Sequence, residues 1–470
     1  MHLHIIGIGG IGVSALARFY RRSLGWRVTG SDASDFSFRE RLESEGIEVH
    51  IGHSAEVVTP DTDLVIYSEA IITKPDLSYT ENLEAIPELK RAKELGIRSL
   101  SYPQALAEIF DAHQGIAVTG SHGKSTTTAM IGVMLQNTSK ASSVIVGTQV
   151  PQFGQSNFWN SESSSYFTIE ACEYKRSFLV YHPYITVITN IDLDHLDYYK
   201  NLDDYFSAFE SIIRQTRGYV VMRWDDERSK ELYHRIYGWV DTVWLPIPVM
   251  VSEGKIATTQ DRKTYFEDLP SSWNLQVPGD HLEHDAELAY AVGRILGLDS
   301  ATLISGLESY QGSWRRSEVI GETQNSNILM SDYGHHPEEI KPTLKAIKEK
   351  YPDRKLFVVF QPHQYSRTRE LLSEFATAFD DADELLISNI YFSRDKAEDV
   401  EYMTMDRLIT TLKTRYPWVQ NGQWLEETAR YMEYYDHSAP NSCVILLLGA
   451  GNVDNLRNHI LLRKDEKISH

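Results

Sequence analysis

Residues 118–127 read Val118-Thr119-Gly120-Ser121-His122-Gly123-Lys124-Ser125-Thr126-Thr127, between an apolar run and a helix-compatible one. Two glycines, a lysine and adjacent hydroxyls at a strand-to-helix turn suit the handling of nucleotide phosphates. Backbone N–H groups of Gly120, Ser121, His122 and Gly123 would cradle the phosphates of ATP, and Lys124 would neutralise the β and γ oxygens. The hydroxyl of Ser125 or Thr126 would sit on Mg²⁺. The usual spacing of such loops has a further glycine where Val118 stands, so only the Gly-x-x-Gly-Lys-Ser core is kept.

Two acidic stretches follow. Glu170-Ala171-Cys172-Glu173 ends one apolar run, and Thr189-Asn190-Ile191-Asp192-Leu193-Asp194-His195 ends the next. Open α/β sheets gather ligands at the carboxyl ends of their strands. Carboxylate oxygens suit Mg²⁺, His195 adds a nitrogen ligand, and two such ions would neutralise a phosphoryl group in transfer. Glu170 and His195 each close an apolar strand; Asp192, Asp194 and Asp197 read equally well as solvated loop acids.

A second glycine turn, Gly7-Ile8-Gly9-Gly10-Ile11-Gly12, stands between an expected strand and an expected helix. Glycines there allow a tight turn and a close approach of backbone to a diphosphate at the helix N-terminus. Asp32 ends the second strand, where a ribose-binding acid belongs. This motif indicates a dinucleotide or a nucleoside diphosphate, without specifying nicotinamide. A dehydrogenase has no use for the Lys124 loop, and a simple kinase has none for the Gly7–Gly12 turn.

Positioning these groups calls for parallel sheets flanked by helices. Strand-like runs at Leu3–Ile8, Arg27–Gly30 and Leu64–Ser68 alternate with helix-like runs at Ser14–Ser23, Phe38–Glu45 and Leu83–Leu95. After a helix near Tyr102-Pro103, a second unit begins at Gly115–Thr119 and continues through Tyr166–Glu170 and Ile185–Asn190. Residues 244–277, with Pro246, Pro248, Gly254 and Pro270, read as irregular excursions and edge strands, and His284–Tyr310 reads as helical. A third pattern has strands at Ile328–Ser331, Lys355–Phe360, Glu384–Ile387 and Val444–Leu448. Three α/β domains follow, at 1–105, 106–318 and 319–470.

Composition agrees with this organisation. A chain of 470 residues exceeds one core, and 42% hydrophobic residues suffice for several. The net charge of −20 argues against nucleic acid as a partner. Two cysteines exclude a disulfide scaffold. The N-terminus has no basic run before its short apolar stretch, so neither a signal peptide nor a membrane span is expected, and the cytoplasm is the default compartment. No oligomeric state is assigned from the sequence.

Taken together, these motifs resemble the Mur ligases. So do Pro278-Gly279-Asp280-His281, Gly312-Ser313-Trp314-Arg315-Arg316, Asp332-Tyr333-Gly334-His335-His336-Pro337 and Phe360-Gln361-Pro362-His363-Gln364-Tyr365-Ser366-Arg367-Thr368. The last two stretches are most similar to family members that join L-alanine to UDP-N-acetylmuramate. The resemblance implies a Rossmann-like UDP-substrate domain, a central P-loop-type ATPase and a C-terminal Rossmann-like domain that receives the amino acid. It implies ATP and Mg²⁺, two ions, as cofactors, and UDP-N-acetylmuramate and L-alanine as small-molecule partners. Lys124 would bind ATP phosphates; Ser125, Glu170, Glu173 and His195 would hold magnesium; and Arg316 would contact the γ-phosphate. His281 and Asp285 would belong to the ATP site. Gly9, Gly10, Ile11, Gly12, Asp32, His53 and Ser68 would meet the UDP substrate, and Tyr333, His335, His363 and Arg367 the amino acid. Four positions depart from the family pattern: Leu282 and Asp285 replace two asparagines, Gln364 stands for a frequent arginine, and Ser331 for a common aspartate.

The expected reaction activates a carboxylate that is already ionised at neutral pH and so needs no base. It attacks the γ-phosphate of ATP to give an acyl phosphate, and the amine of the amino acid then displaces phosphate, with His335 or His363 as the proton acceptor. Glu210 is a further, weaker candidate for the metal site. Competing readings are a related ligase for another amino acid or a peptide, a nicotinamide-dependent oxidoreductase, and a non-enzymatic nucleotide sensor.

Overall fold

The computed structural model describes residues 1–460 except 37, 73–77, 162–164, 193–197, 239–244, 253, 261, 262, 278 and 394, and the side chain of residue 280. Three sheets organise the chain. The first has the order β3-β2-β1-β4-β5, with β1 His2–Ile6, β2 Arg27–Asp32, β3 Glu48–Ile51, β4 Leu64–Tyr67 and β5 Arg98–Ser101, all parallel. Its central strands are buried on both faces, which is why Leu3–Ile6, broken only by His4, and Leu64–Tyr67 read as apolar runs. The outer strands β3 and β5 are short and polar, and the sequence reading missed both.

The second sheet has the order β14-β13-β12-β11-β10-β6-β9-β7-β8. Its members are β6 Gln114–Thr119, β7 Ser142–Val150, β8 Ser156–Trp159, β9 Tyr166–Glu170, β10 Ile185–Ile188, β11 Tyr219–Arg223, β12 Ile247–Ser252, β13 Lys255–Gln260 and β14 Lys263–Asp268. The strands from β12 to β7 run parallel, whereas β8, β13 and β14 pair antiparallel at the edges. Residues 244–277 thus supply the edge strands expected of them, but also β12, a regular parallel member. Pro248 is tolerated there because it faces Val220 of β11 while β13 pairs only from Val249 onward.

The third sheet has the order β15-β16-β20-β17-β18-β19, with β15 Glu318–Glu322, β16 Ile328–Asp332, β17 Lys355–Phe360, β18 Glu384–Ser388, β19 Gln420–Gln423 and β20 Cys443–Leu448. Only β15 is antiparallel to its neighbour. Alternate residues of the central strands divide between two cores, Val358 and Leu446 on one face, Phe357 and Ile445 on the other.

Two compact units result: Met1–Leu275 with His284–Tyr310, and Gln276–Glu283 with Gln311–His470. The first unit carries both the first and the second sheet, joined through the helix Ile11–Arg22. On that helix Arg18 is 3% exposed, and its guanidinium donates to Glu45 Oε2 at 2.8 Å and to Asn157 Oδ1 at 2.6 Å. Asn157, on β8, donates in turn to Ser14 Oγ and to the carbonyl of Ile11. Phe19 packs edge-on against Phe158 and Phe167 of the second sheet.

Candidate functional site

The phosphate loop leaves β6 at Thr119 and enters the helix Lys124–Leu135. Gly120 has φ +124° and Gly123 φ +79°, both in the region that favours glycine. A Cβ at Gly120 would stand 2.2 Å from Thr189 Oγ1, and one at Gly123 would stand 2.5 Å from Asp285 Oδ1. The segment after β10 pins the loop: Asn190 O accepts from Ser121 N at 3.2 Å, and Asn190 Oδ1 accepts from His122 N at 2.9 Å. Asp285, expected with His281 at the ATP site, lies against Gly123 of the loop and accepts from Thr127 Oγ1 at 2.9 Å.

Lys124 Nζ donates to Gly120 O at 2.6 Å, to Ser121 O at 3.0 Å and to Glu173 Oε1 at 3.2 Å. Glu173, just beyond β9, is fully buried. Burial works against the lysine's charge, but Glu173, Cys172 and Glu170 outweigh it and hold the ammonium above its ordinary range. Lys124 therefore points at the carboxyl end of β9, as expected. Glu170 closes β9 and accepts from Gly147 N at 2.7 Å.

Among the described residues the hydroxyls of Ser125 and Thr126 make no hydrogen bond within the protein, whereas Thr127 and Thr128 both do. Hydroxyl and carboxylate oxygens from Ser125, Glu170 and Glu173 fit a hard divalent cation. No group of three metal-ligating side chains occurs among the described residues; His195, together with Asp194 and Asp197, lies outside them. Asp192 pairs with Arg228 at 2.5 Å. Glu210 pairs with Arg235 at 3.9 Å, a surface partner.

At the first glycine turn, Gly7 has φ +77° and a Cβ there would meet Ser68 Cβ at 2.8 Å. Asp32 Oδ2 accepts from Gly9 N at 2.9 Å, which ties the acid to the turn. A cavity of ≈380 Å³ opens here, with Gly10, Asp32, His53, Ser68, Asn82 and Ile86 in its lining. Four expected substrate residues are thus brought together around one cavity. Ile11 opens the adjoining helix and Gly9 abuts Asp32 and Phe36. Against His53 lies a carboxylate that sequence reasoning missed: Glu88 is fully buried, and its Oε1 lies 2.8 Å from both His53 Nδ1 and Ser31 Oγ.

Tyr102 stands against the first glycine turn. A Cβ at Gly12 would stand 2.8 Å from its hydroxyl. Burial, then the charges of Glu170 and Cys172, push the phenol's pKa up. Sequence reading placed Tyr102 on a helix but attached no chemistry to it.

In the second unit the expected amino-acid residues form a row of rings. Tyr333 meets His335 at 5.5 Å between centroids, His335 meets His363 at 5.9 Å, and His363 stacks on Tyr391 at 5.2 Å. Arg316 lies over the Tyr333 ring at 5.0 Å. His335 Nδ1 is 3.4 Å from Glu339 Oε2. Arg367, half-buried, sits on the helix Tyr365–Glu370 that follows His363. His281 is half-buried in the first turn of the helix Asp280–Ile295. Asp332 holds the approach: its carboxylate accepts from Ser317 N at 2.6 Å and Gly334 N at 2.7 Å. The departure Gln364 is buried with φ +77° and receives a bond from Thr368 Oγ1; the departure Ser331 donates to Asp454 Oδ1 at 2.6 Å. Two residues escaped the sequence reading. Tyr391 packs beneath His363, and Gly449 has φ +138° with Gln361 O 2.5 Å from the site of a Cβ. Gly449-Ala450-Gly451 after the apolar run Val444–Leu448 was a readable signal for a third glycine turn.

No helix of the described residues is long and apolar enough to cross a membrane. The chain is similar to known proteins along nearly its full length. Residues 2–114 match the Mur ligase family catalytic domain, 118–280 the Mur ligase middle domain, and 315–451 the Mur ligase glutamate ligase domain. UDP-N-acetylmuramate–L-alanine ligase of Alkaliphilus metalliredigens is 34% identical, over 98% of this chain and 97% of its own length. Its counterpart from Clostridium kluyveri is 35% identical, over 96% of each. The crystal structure of UDP-N-acetylmuramate-alanine ligase from Thermotoga maritima superposes with a TM-score of 0.73 at 27% identity, covering 97% of both chains. With matching domains in the same order along nearly its full length, the chain belongs to the Mur ligase family.

Proposed function

We propose that this chain joins L-alanine to the lactyl carboxylate of UDP-N-acetylmuramate, at the expense of ATP and through an acyl phosphate, in peptidoglycan precursor synthesis. The observation that carries the reading is the pairing of Lys124 with buried Glu173 at the end of β9, in the same compact unit as the cavity at the first glycine turn. One loop suits ATP, and the other suits the nucleotide of an acid to be activated. The identity to two L-alanine ligases over nearly the whole chain supports the choice of amino acid. An oxidoreductase would leave Lys124, Glu170 and Glu173 without a role.

In this reading Gly9, Gly10, Ile11 and Gly12 approach the diphosphate, and Asp32, His53 and Ser68 orient the nucleotide. Gly120, Ser121, His122, Gly123, Lys124 and Thr126 hold the ATP phosphates, with His281 and Asp285 beside the nucleotide. Ser125, Glu170, Glu173 and His195 would hold Mg²⁺, two ions, which supply positive charge to the phosphoryl group. Lys124 and Arg316 add fixed positive charge where it develops on the γ-phosphate as the carboxylate attacks. Tyr333, His335, His363 and Arg367 receive the amino acid, and His335 or His363 takes the proton that its amine sheds. Domain boundaries near residues 105 and 318 follow, and the need for ATP and a UDP-linked precursor assigns the reaction to the cytoplasm.

The test is incubation with ATP, Mg²⁺, UDP-N-acetylmuramate and one amino acid at a time, with ADP release and product mass as readouts. ADP release that requires both UDP-N-acetylmuramate and L-alanine, with a product of the summed mass less water, is expected. A different amino acid giving the dominant product would overturn the assignment.

A further inference from the structure

We propose that the Tyr102 hydroxyl is a substrate-binding group, donating to an anionic oxygen of the UDP-linked acid where that molecule passes from the Gly7–Gly12 turn toward Glu170. The proposal deepens the functional reading above and rests on it.

Tyr102 begins the helix Tyr102–Asp111, which carries the chain from β5 of the first sheet to β6 of the second. Its backbone is held in place. Ser101 N donates to Gln104 Oε1 at 3.0 Å in a capping box, Pro103 is buried in the first turn, and the ring packs against the core shared by both sheets. The hydroxyl reaches Gly12, in the first turn of the helix Ile11–Arg22, where a Cβ would lie 2.8 Å from Oη and 2.9 Å from Cζ. Glycine at position 12 therefore admits the phenol beside the helix N-terminus, and no other residue fits without displacing it.

Glu170 and Cys172 lie within electrostatic reach of the same hydroxyl. Glu170 Oε2 is already engaged by Gly147 N at 2.7 Å, and among the described residues the phenol makes no hydrogen bond. A ring packed against the core, whose donor is left without a protein partner beside Gly12 and within electrostatic reach of Glu170, is placed to donate to a ligand. The chemistry suits an acid tethered to a nucleoside diphosphate. Such a molecule is anionic along its length, and a neutral O–H can hold it without neutralising the carboxylate that must attack. A lysine in the same place would pair with that carboxylate and blunt it.

The test compares the full-length protein with Tyr102→Phe, which removes one oxygen and keeps the ring. Calorimetric titration with UDP-N-acetylmuramate in the absence of ATP reads binding without turnover. The expected result is binding weakened about five- to tenfold, as for loss of one hydrogen bond. In steady state the KM for UDP-N-acetylmuramate should rise by a similar factor, while kcat and the KM values for ATP and L-alanine stay within about twofold. Unchanged binding in Tyr102→Phe, with a wild type that binds and turns over, overturns the role of the hydroxyl and leaves the functional reading intact. A lowered melting temperature with equal losses for all three substrates overturns it in favour of a structural role. A wild type that binds no UDP-N-acetylmuramate overturns the functional reading, and this proposal with it.

Discussion

Replacing Lys124 with methionine separates two jobs that the structure gives one ammonium group. Its Nζ lies 3.2 Å from the carboxylate of Glu173, which is fully buried, and it also bonds the carbonyls of Gly120 and Ser121. At that separation and an effective dielectric constant near 20, the attraction is about 5 kcal/mol, much of it offset by the cost of burying both charges. Cutting one partner of such a pair leaves the other charge stranded, at about 3–5 kcal/mol. For a cooperative unit of two to three hundred residues that corresponds to a melting temperature lower by roughly 6–20 °C. The assay is differential scanning calorimetry without nucleotide, beside ADP release under saturating substrates. Lys124→Met should melt early and lose about 10²–10³ in turnover. Lys124→Met with Glu173→Gln should recover most of the melting temperature and none of the turnover. A Lys124→Met protein that melts within about 2 °C of wild type would refute the reasoning, because the pair would then add nothing to the fold.

Gly123→Ala forces a Cβ to within 2.5 Å of Asp285 Oδ1 at a φ of +79°; ATP binding measured by calorimetry should weaken at least tenfold, and unaltered affinity would contradict the geometry. Glu88→Gln keeps the volume behind the first cavity but removes the charge that faces His53 Nδ1 at 2.8 Å. Affinity for UDP should fall about tenfold with ATP affinity unchanged, as expected when a charge-assisted bond is reduced to a neutral one; equal losses for both nucleotides would point to misfolding instead. His4 is fully buried, and burial, helped by His50, His2 and His53, lowers its pKa to about 3. The unfolded chain binds this proton below about pH 6.5 and the folded one does not, so stability is whole above that pH. It is lost at about 1.4 kcal/mol per unit as the pH falls toward 3. His4→Gln should flatten that acid limb in urea denaturation; a parallel limb in both proteins would remove His4 as the cause.

Much of this was readable before any coordinates. The apolar runs at Leu3–Ile6, Gly115–Thr119, Tyr166–Glu170 and Val444–Leu448 are central strands buried on two faces, and burial leaves its mark on composition. Edge strands leave little mark: Gln420–Gln423 contains no apolar residue, and only its pairing with β18 makes it a strand. Glycine spacing located both phosphate-type turns, because a positive φ or a close backbone approach restricts a position to one residue type. What the sequence could not disclose were residues whose role arises by approach from elsewhere in the chain. Glu88 reads as an ordinary acid in a helix's first turn until Ser31 and His53 are found against it. Tyr102 reads as a helix start until Gly12 is found at its hydroxyl.

The contact of Arg18 and Ser14 with Asn157 bears on how such enzymes can be recombined. Because the amide of Asn157 closes three bonds on the helix behind the first glycine turn, the leading hundred or so residues are no portable cassette. Grafting a relative's nucleotide module onto this ATPase would strand a buried guanidinium at the seam unless positions 14, 18 and 157 travelled together. Swaps that respect the trio should yield folded chimaeras, and swaps that split it should come out insoluble.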